Sequence, residues 1–137
     1  MRVVLDTNVY IALALQGDFT EDLFERIVKN PEIRVVASEE IFSEINQKLE
    51  IKFNWIEEDV SLFISKMRKI SDVVKITREI LEVTRDPDDN KILECAISGK
   101  ADLIVTLDQD LIKLKQFKGI GIVHPKTFSW TFPEVST

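Results

Sequence analysis

The sequence predicts a three-layer α/β/α domain with a mostly parallel sheet of about five strands. Short apolar runs alternate with segments of helical periodicity, which is typical of parallel strands covered by helices on both faces. The chain has 137 residues, of which 45% are hydrophobic and 31% are charged, so it is long enough to bury a core as one domain over residues 1–137. No linker, repeat or low-complexity tract interrupts it.

Most of the strand candidates are continuous apolar runs rather than strict alternations of apolar and polar residues. Such runs are expected for strands that are buried on both faces. Pro31 precedes the second run and Gly119 precedes the last, as expected of residues that mark turns. The five candidates are Val3–Leu5, Ile33–Ala37, Val73–Ile76, Leu103–Thr106 and Ile120–Val123.

Helical periodicity fills the intervals between these runs. One apolar stripe extends from Ile41 to Leu49, and a second extends from Ile56 to Met67. The segment Asp86-Pro87-Asp88-Asp89 is typical of a helix start, with a capping residue, a proline at the first helical position and acids in the first turn. The order of strands and helices predicts parallel strands that are joined by helical connections.

The charge balance limits the class of partner. With 18 basic and 24 acidic residues the formal net charge is −6, which argues against a protein that grips nucleic acid by net charge alone. A local basic groove beside an acidic site is compatible with that charge. The single cysteine, Cys95, allows no internal disulfide, and the apolar stretch Val9–Leu15 is too short to span a membrane. We therefore expect a cytoplasmic protein that is neither secreted nor membrane-bound.

Four acidic residues are predicted to converge at one edge of the sheet. Asp6 ends the first strand and Asp108 follows the fourth, and parallel strands place both at the same edge. Asp89 lies in the first turn of the helix that leads into the fourth strand, and Glu44 lies beside the apolar stripe of the helix after the second strand. Gathered carboxylates raise one another's pKa unless a cation neutralises them, and oxygen ligands favour Mg²⁺ or Mn²⁺.

Each acid also has a purely structural interpretation, which is the more common one when each residue is taken singly. These alternatives are a turn at Asp6, an ion pair of Glu44 with Lys48, a helix-dipole role for Asp89 and a cap by Asp108 on a short helix near Asp110. Four acids at strand ends and neighbouring helix turns together favour one shared site over four unrelated roles.

These motifs, in this order and spacing, resemble those of the PIN-domain ribonucleases over nearly the whole chain. The resemblance is closest to the VapC-like group, the toxins of toxin–antitoxin pairs. The matching segments are Val4-Leu5-Asp6-Thr7-Asn8-Val9, Ser38-x-x-Ile41-x-x-Glu44-Ile45, Arg85-Asp86-Pro87-Asp88-Asp89-Asn90-Lys91-Ile92-Leu93-Glu94-Cys95-Ala96 and Ala101-Asp102-Leu103-Ile104-Val105-Thr106-Leu107-Asp108-Gln109-Asp110-Leu111.

The resemblance implies RNA cleavage that depends on Mg²⁺ or Mn²⁺. The catalytic and metal-binding residues that it implies are Asp6, Glu44, Asp89 and Asp108. The implied supporting residues are Asn8 and Thr106, with Asp110 as the substitute if Asp108 points away. One or two ions would orient the scissile phosphate and lower the pKa of a bound water. Leu107 stands where the family often has glycine, a difference that concerns the local turn and leaves the four acids intact.

RNA contacts and partners are expected as well. Most basic residues fit solvated helix faces, and the candidates for phosphate contacts are Arg85, Lys91 and Lys113. The related family commonly forms homodimers. In addition, Trp55, Trp130 and Phe132 are not needed to complete the apolar stripes of the predicted helices. We therefore expect a homodimer, with a small antitoxin as a further partner.

Two other functions stay open on the sequence alone. A haloacid-dehalogenase-like phosphatase also has an acid after the first strand, but its signature places a second Asp where this chain has Asn8. A non-catalytic PIN-like interaction module would keep the fold without the activity. Of the remaining residues, His124 fits a turn or cap and Cys95 fits a buried structural thiol. The aromatic residues Phe128, Trp130 and Phe132 fit docking onto the domain or onto a second subunit better than they fit the stacking of bases.

Overall fold

The computed structural model describes residues 1–15, 20–77 and 87–131, with the side chains at 20–21, 87–89 and 129–131 left aside. In this part of the chain the strands form a six-stranded sheet in the order β3-β2-β1-β4-β6-β5. All neighbouring pairs are parallel except β5 and β6. The strands are β1 Arg2–Leu5, β2 Arg34–Ala37, β3 Ser71–Val73, β4 Leu103–Val105, β5 Gln116–Phe117 and β6 Ile120–Val123.

Helices connect the parallel strands and complete the predicted α/β/α architecture, which is confirmed. They are α1 Thr7–Ala14, α2 Thr20–Lys29, α3 Glu39–Ile51, α4 Glu57–Lys69, α5 Pro87–Ser98, α6 Gln109–Lys113 and α7 Pro125–Thr131. Among the described residues no helix is both long enough and apolar enough to cross a membrane.

The strand register places the carboxyl ends of β1 and β4 side by side. Leu5 is aligned with Val105, and the backbone N–H of Asp6 donates a 2.9 Å hydrogen bond to the carbonyl oxygen of Val105. The residues that follow each strand, Asp6 and Thr106, therefore begin at the same level of the sheet. This is the edge at which parallel α/β sheets gather their chemistry.

The sheet differs from the sequence expectation at two of its strands. β3 lies at Ser71–Val73 rather than at Val73–Ile76, since the buried hydroxyl of Ser71 donates to the carbonyl of Met67 and lets a polar residue start the strand. β5 has only Gln116–Phe117, which is too short for any periodicity to show, and it adds an antiparallel sixth strand.

The core lies along the central strands and the helices that cover them. Val3, Val4 and Ile104 are fully buried, as are Ile41 and Ile45 of α3. Since α3 carries its apolar stripe into this core, it carries the neighbouring Glu44 to the same boundary.

Candidate active site

Asp6 is a buried carboxylate at the junction of β1 and α1. It is the N-terminal flanking residue of α1, yet its side chain does not cap that helix. Its Oδ2 accepts a 2.7 Å hydrogen bond from the Thr106 hydroxyl and a 3.3 Å hydrogen bond from the Asn8 amide. Because the side chain is only 7% exposed, little water is available to solvate its charge.

The pKa of Asp6 is raised to about 6, chiefly by burial and to a smaller extent by the neighbouring charges of Glu44 and Asp108. Hydrogen bonds from the Thr106 side chain and the Thr7 backbone lower it and partly offset these effects. The two neighbouring acids therefore lie near enough to act on Asp6. The structure thus brings three of the four predicted acids, Asp6, Glu44 and Asp108, to one edge of the sheet.

Thr106 and Asn8 connect Asp6 to the loop after β4. The fully buried Thr106 hydroxyl accepts from the backbone N–H of Asp108 at 3.0 Å while it donates to Asp6. The Asn8 amide also lies 3.4 Å from Thr106 Oγ1, and its carbonyl oxygen accepts from the backbone N–H of Leu107 at 3.2 Å. Both predicted supporting residues are thus part of one hydrogen-bond network around Asp6.

Leu107 fits this loop without the backbone freedom of glycine. It is not among the described residues with a positive φ, and its partly buried side chain packs against the core. A left-handed backbone is therefore not required at this position, and the turn accommodates leucine.

Glu44 lies on α3 and is also only 7% exposed. Its Oε2 accepts a 3.1 Å hydrogen bond from the Thr7 hydroxyl, and its Oε1 lies 3.0 Å from the ammonium nitrogen of Lys48. The ion pair between Glu44 and Lys48, which was the structural interpretation of Glu44, is therefore formed. Glu44 is at the same time a neighbour of Asp6, so the ion pair does not remove it from the site.

Asp108 caps α6 and faces the site at the same time. Its Oδ1 accepts a 2.9 Å hydrogen bond from the backbone N–H of Asp110, so its structural alternative is also present. Asp110 itself is exposed in the first turn of α6. Asp89 belongs to the first turn of α5, but its side chain lies outside the described residues.

The chemistry of these donors fits a hard divalent cation. In the described part of the chain the acids near Asp6 offer oxygen ligands, and a cation would relieve their mutual repulsion. Within the described residues, however, no three acidic, histidine or cysteine side chains form a group that could hold a metal ion. Asp6, Glu44 and Asp108 are therefore neighbours without forming a closed set of ligands, and the Asp89 side chain lies outside the described residues.

The predicted RNA contacts fall at different places. Lys113 is exposed in the last turn of α6, the helix that Asp108 caps, and Lys91 is half-buried on α5. Arg85 lies outside the described residues.

The other reactive residues take the structural roles that were expected of them. His124 Nδ1 accepts a 3.0 Å hydrogen bond from the backbone N–H of Lys126, at the turn into α7. Burial raises the pKa of the Cys95 thiol to about 12, as befits an inert core residue. Phe128 is buried in the core, and Trp55 packs edge-on against Phe63 with ring centroids 6.3 Å apart. The Trp130 side chain and Phe132 lie outside the described residues.

Sequence reasoning did not single out Thr7 as a site residue. Its buried hydroxyl donates to Glu44 from the first turn of α1, directly after Asp6. The position next to Asp6 is the only signal that could have indicated it, because the contact depends on how α3 packs against α1.

Comparisons with known proteins identify the family and the fold of the chain. Residues 2–110 match the sequence model of the PIN domain family. The uncharacterized protein MJ1680 of Methanocaldococcus jannaschii is 29% identical over 134 residues, which cover 92% of this chain and 84% of that protein. VapBC2 from Rickettsia felis, solved bound to a DNA fragment from their promoter, has a TM-score of 0.64 at 15% identity and covers 89% of this chain and 97% of the solved chain.

VapBC-1 from nontypeable Haemophilus influenzae gives a TM-score of 0.62 at 17% identity, over 92% of this chain and 99% of the solved chain. At such identities the two structures show a shared fold. The family match covers most of the chain, and the chain therefore belongs to the PIN domain family and has its fold.

Proposed function

We propose that this chain is a metal-dependent ribonuclease of the VapC-like type, with Asp6, Glu44, Asp89 and Asp108 as its catalytic and metal-binding residues. The observation that carries the proposal is the buried Asp6 carboxylate, whose pKa is raised to about 6 by burial and by the adjacent Glu44 and Asp108. Burying repelling acids at the sheet edge is costly unless a cation binds there. Membership of the PIN domain family supports the same function.

Mg²⁺ or Mn²⁺, when bound, would orient the scissile phosphate and make water a better nucleophile at neutral pH. Hydrogen bonds within the chain orient the carboxylates that would bind this ion. Thr106 and Asn8 fix Oδ2 of Asp6 in position, and Thr7 fixes Oε2 of Glu44. The low exposure of both carboxylates limits competition from water at their oxygens.

RNA would approach the same edge of the sheet over α6. The exposed Lys113 at the end of this helix, together with Lys91 and Arg85, would contact backbone phosphates. These local charges would act against a net charge of −6, so binding is expected to weaken as the ionic strength rises.

A defined single-stranded RNA with Mn²⁺ and wild-type protein provides the test. We expect cleavage that stops with excess chelator and returns when Mg²⁺ or Mn²⁺ is added back. The Asp6→Asn variant should lose activity at least about 100-fold, because it removes a charge without changing volume. Asp22→Asn, which alters the acid of a partly buried ion pair with Arg26 on α2, is the control and should remain active. Undiminished cleavage by a folded Asp6→Asn variant would contradict the proposal.

We further propose a small antitoxin as the protein partner, since both solved structures are VapBC proteins. An apolar groove of about 530 Å³ lies between the end of α1 and α4 and offers a surface for it. Its lining includes Leu13, Trp55, Ile56, Leu62 and Phe63, with Asp59 and Lys66 as charged groups. This pattern suits the apolar face of an amphipathic helix that carries charges of both signs.

Co-expression with the product of a small adjacent reading frame tests this partner. The variant Leu62→Asp should prevent co-purification, because Leu62 is 57% exposed and lines the groove. Ile51→Asp is the matched control, since Ile51 is 72% exposed and is not among the groove residues. Equal loss in both variants would show that the groove is not the docking surface.

A non-catalytic PIN-like interaction module is the second candidate. It is favoured by the fact that Glu44 and Asp108 both have structural partners, Lys48 and the N-terminus of α6. Mn²⁺ titration separates the two functions, since a module that has lost its chemistry would neither bind the ion nor cleave RNA. A phosphatase of the haloacid-dehalogenase type would instead hydrolyse a small phosphomonoester, and we expect no such activity.

A further inference from the structure

Lys48 provides a positive charge inside the acidic site. We propose that Lys48 is the built-in counter-ion of Glu44, which stabilises this buried carboxylate without metal and competes with a divalent ion for it. The inference rests on the proposed metal site and assigns a role to Lys48, which contacts the carboxylate oxygen of Glu44 that Thr7 does not contact.

The contacts of Glu44 account for both of its carboxylate oxygens. Oε1 lies 3.0 Å from the Lys48 ammonium and Oε2 accepts from the Thr7 hydroxyl at 3.1 Å. The carboxylate is 7% exposed, whereas the Lys48 side chain is 39% exposed. A buried charge without a partner is strongly unfavourable, so removing Lys48 should destabilise the fold more than removing one partner of an exposed pair.

Asp6 provides an internal comparison. It is equally buried and lies in the same field of acids, but in the described part of the chain its contacts are hydrogen bonds rather than an ion pair. Of the two buried acids in the described part of the chain, Glu44 is paired with a lysine and Asp6 is not. A divalent ion bound to both carboxylates would be attracted by the ionised Asp6 without competition from an ion pair. At Glu44 it would compete with the ammonium group of Lys48.

Lys48 lies close enough to Glu44 to repel an ion bound there. An ion bound to Glu44 Oε1 would lie within a few ångströms of the ammonium nitrogen, and two cations at that distance repel each other. The lysine stem is flexible and more than a third exposed, so the ammonium can turn toward water when the ion binds. Metal binding then carries the cost of breaking the Lys48–Glu44 pair, which lowers the affinity.

Isothermal titration of the chelator-treated protein with Mn²⁺ measures this cost directly. The Lys48→Met variant keeps the length of the side chain and removes its charge, and we expect it to bind Mn²⁺ about tenfold more tightly than the wild type. Lys29→Met is the matched control. It removes the lysine of another pair at the same helical spacing, with Glu25 at 3.9 Å, where both side chains are exposed. We expect no change in Mn²⁺ affinity there.

Melting of the metal-free proteins supplies an independent readout. Lys48→Met should melt at a lower temperature than Lys29→Met, and saturating Mn²⁺ should raise its melting temperature by more than it raises that of the wild type. In the Glu44→Gln background the Lys48→Met change should no longer tighten binding. Lys48→Gln serves as the second variant if Lys48→Met does not fold.

Unchanged or weaker Mn²⁺ binding by the Lys48 variants would overturn the inference, as would the absence of Mn²⁺ binding in every protein tested. The readout is separate from catalysis. A wild type that binds Mn²⁺ at Asp6 but leaves RNA intact would refute the ribonuclease alone, while the affinity difference would still support the role of Lys48.

Discussion

Two neighbouring side chains hold Asp6 through its Oδ2 atom. Thr106 and Asn8 both donate to Oδ2, and Thr106 also accepts from the backbone of the following loop. Burial and the charges of Glu44 and Asp108 nevertheless dominate, and they raise the pKa of Asp6 to about 6. The ionised form is therefore less stable in the folded protein than in the unfolded chain.

This raised pKa leads to a pH dependence that the Asp6→Asn variant should remove. Well below pH 3.8, the ordinary pKa of an aspartate, Asp6 is protonated in both states, so wild type and variant should differ little. Between pH 3.8 and about 6 the unfolded chain ionises more readily than the folded protein, so the wild type should lose stability relative to the variant, by about 3 kcal/mol once the pH exceeds 6. Urea unfolding of both proteins in EDTA from about pH 3 to about pH 7.5 measures this difference. A difference that is constant with pH would contradict the raised pKa.

The elements around the site show which features a sequence can reveal. The proximity of Asp6 and Thr106 follows from two strand ends in parallel register, because Leu5 aligns with Val105. The burial of Glu44 follows from its place beside the stripe of α3. Its contact with Thr7 could not be predicted, since it depends on the packing of α3 against α1 rather than on any periodicity.

Helix α5 is held close to the sheet at its C-terminal end. A Cβ atom added at Gly99 would lie 2.4 Å from Val36 Cγ1 on β2 and 3.1 Å from the carbonyl oxygen of Cys95. A glycine is therefore needed here for close approach, and this approach also fixes the far end of the helix whose first turn contains Asp89.

Gly99→Ala should accordingly destabilise the protein by about 1–3 kcal/mol, because the methyl group overpacks the contact with β2. Val36→Ala removes the clashing methyl groups and has its own cost from the cavity that it leaves. In a double-mutant cycle measured by urea unfolding, the pair should be less destabilised than the sum of the two single changes. Additive effects would show that α5 moves away from β2 to accommodate the methyl group.

At the scale of the whole molecule the net charge of −6 opposes binding to RNA, and assembly is the proposed answer. Of the aromatic residues that suggested a homodimer, Trp55 packs against Phe63 within the chain, so it does not by itself indicate a subunit interface. The described surface nevertheless carries large exposed apolar side chains outside the groove, including Val28, Ile51 and Leu114. A second copy would cover part of this surface and bring the basic residues of two chains together.

Light scattering over a concentration series tests this assembly. We expect a mass near twice the 15.8 kDa of one chain at micromolar concentration, and we expect it to persist in Leu62→Asp, because the groove that contains Leu62 is proposed for the antitoxin instead. A dimer that is lost in Leu62→Asp would assign the groove to the second copy. A monomer mass that persists at high micromolar concentration would refute the dimer. It would also leave the local charges of Lys113, Lys91 and Arg85 as the sole means by which so acidic a chain could hold RNA.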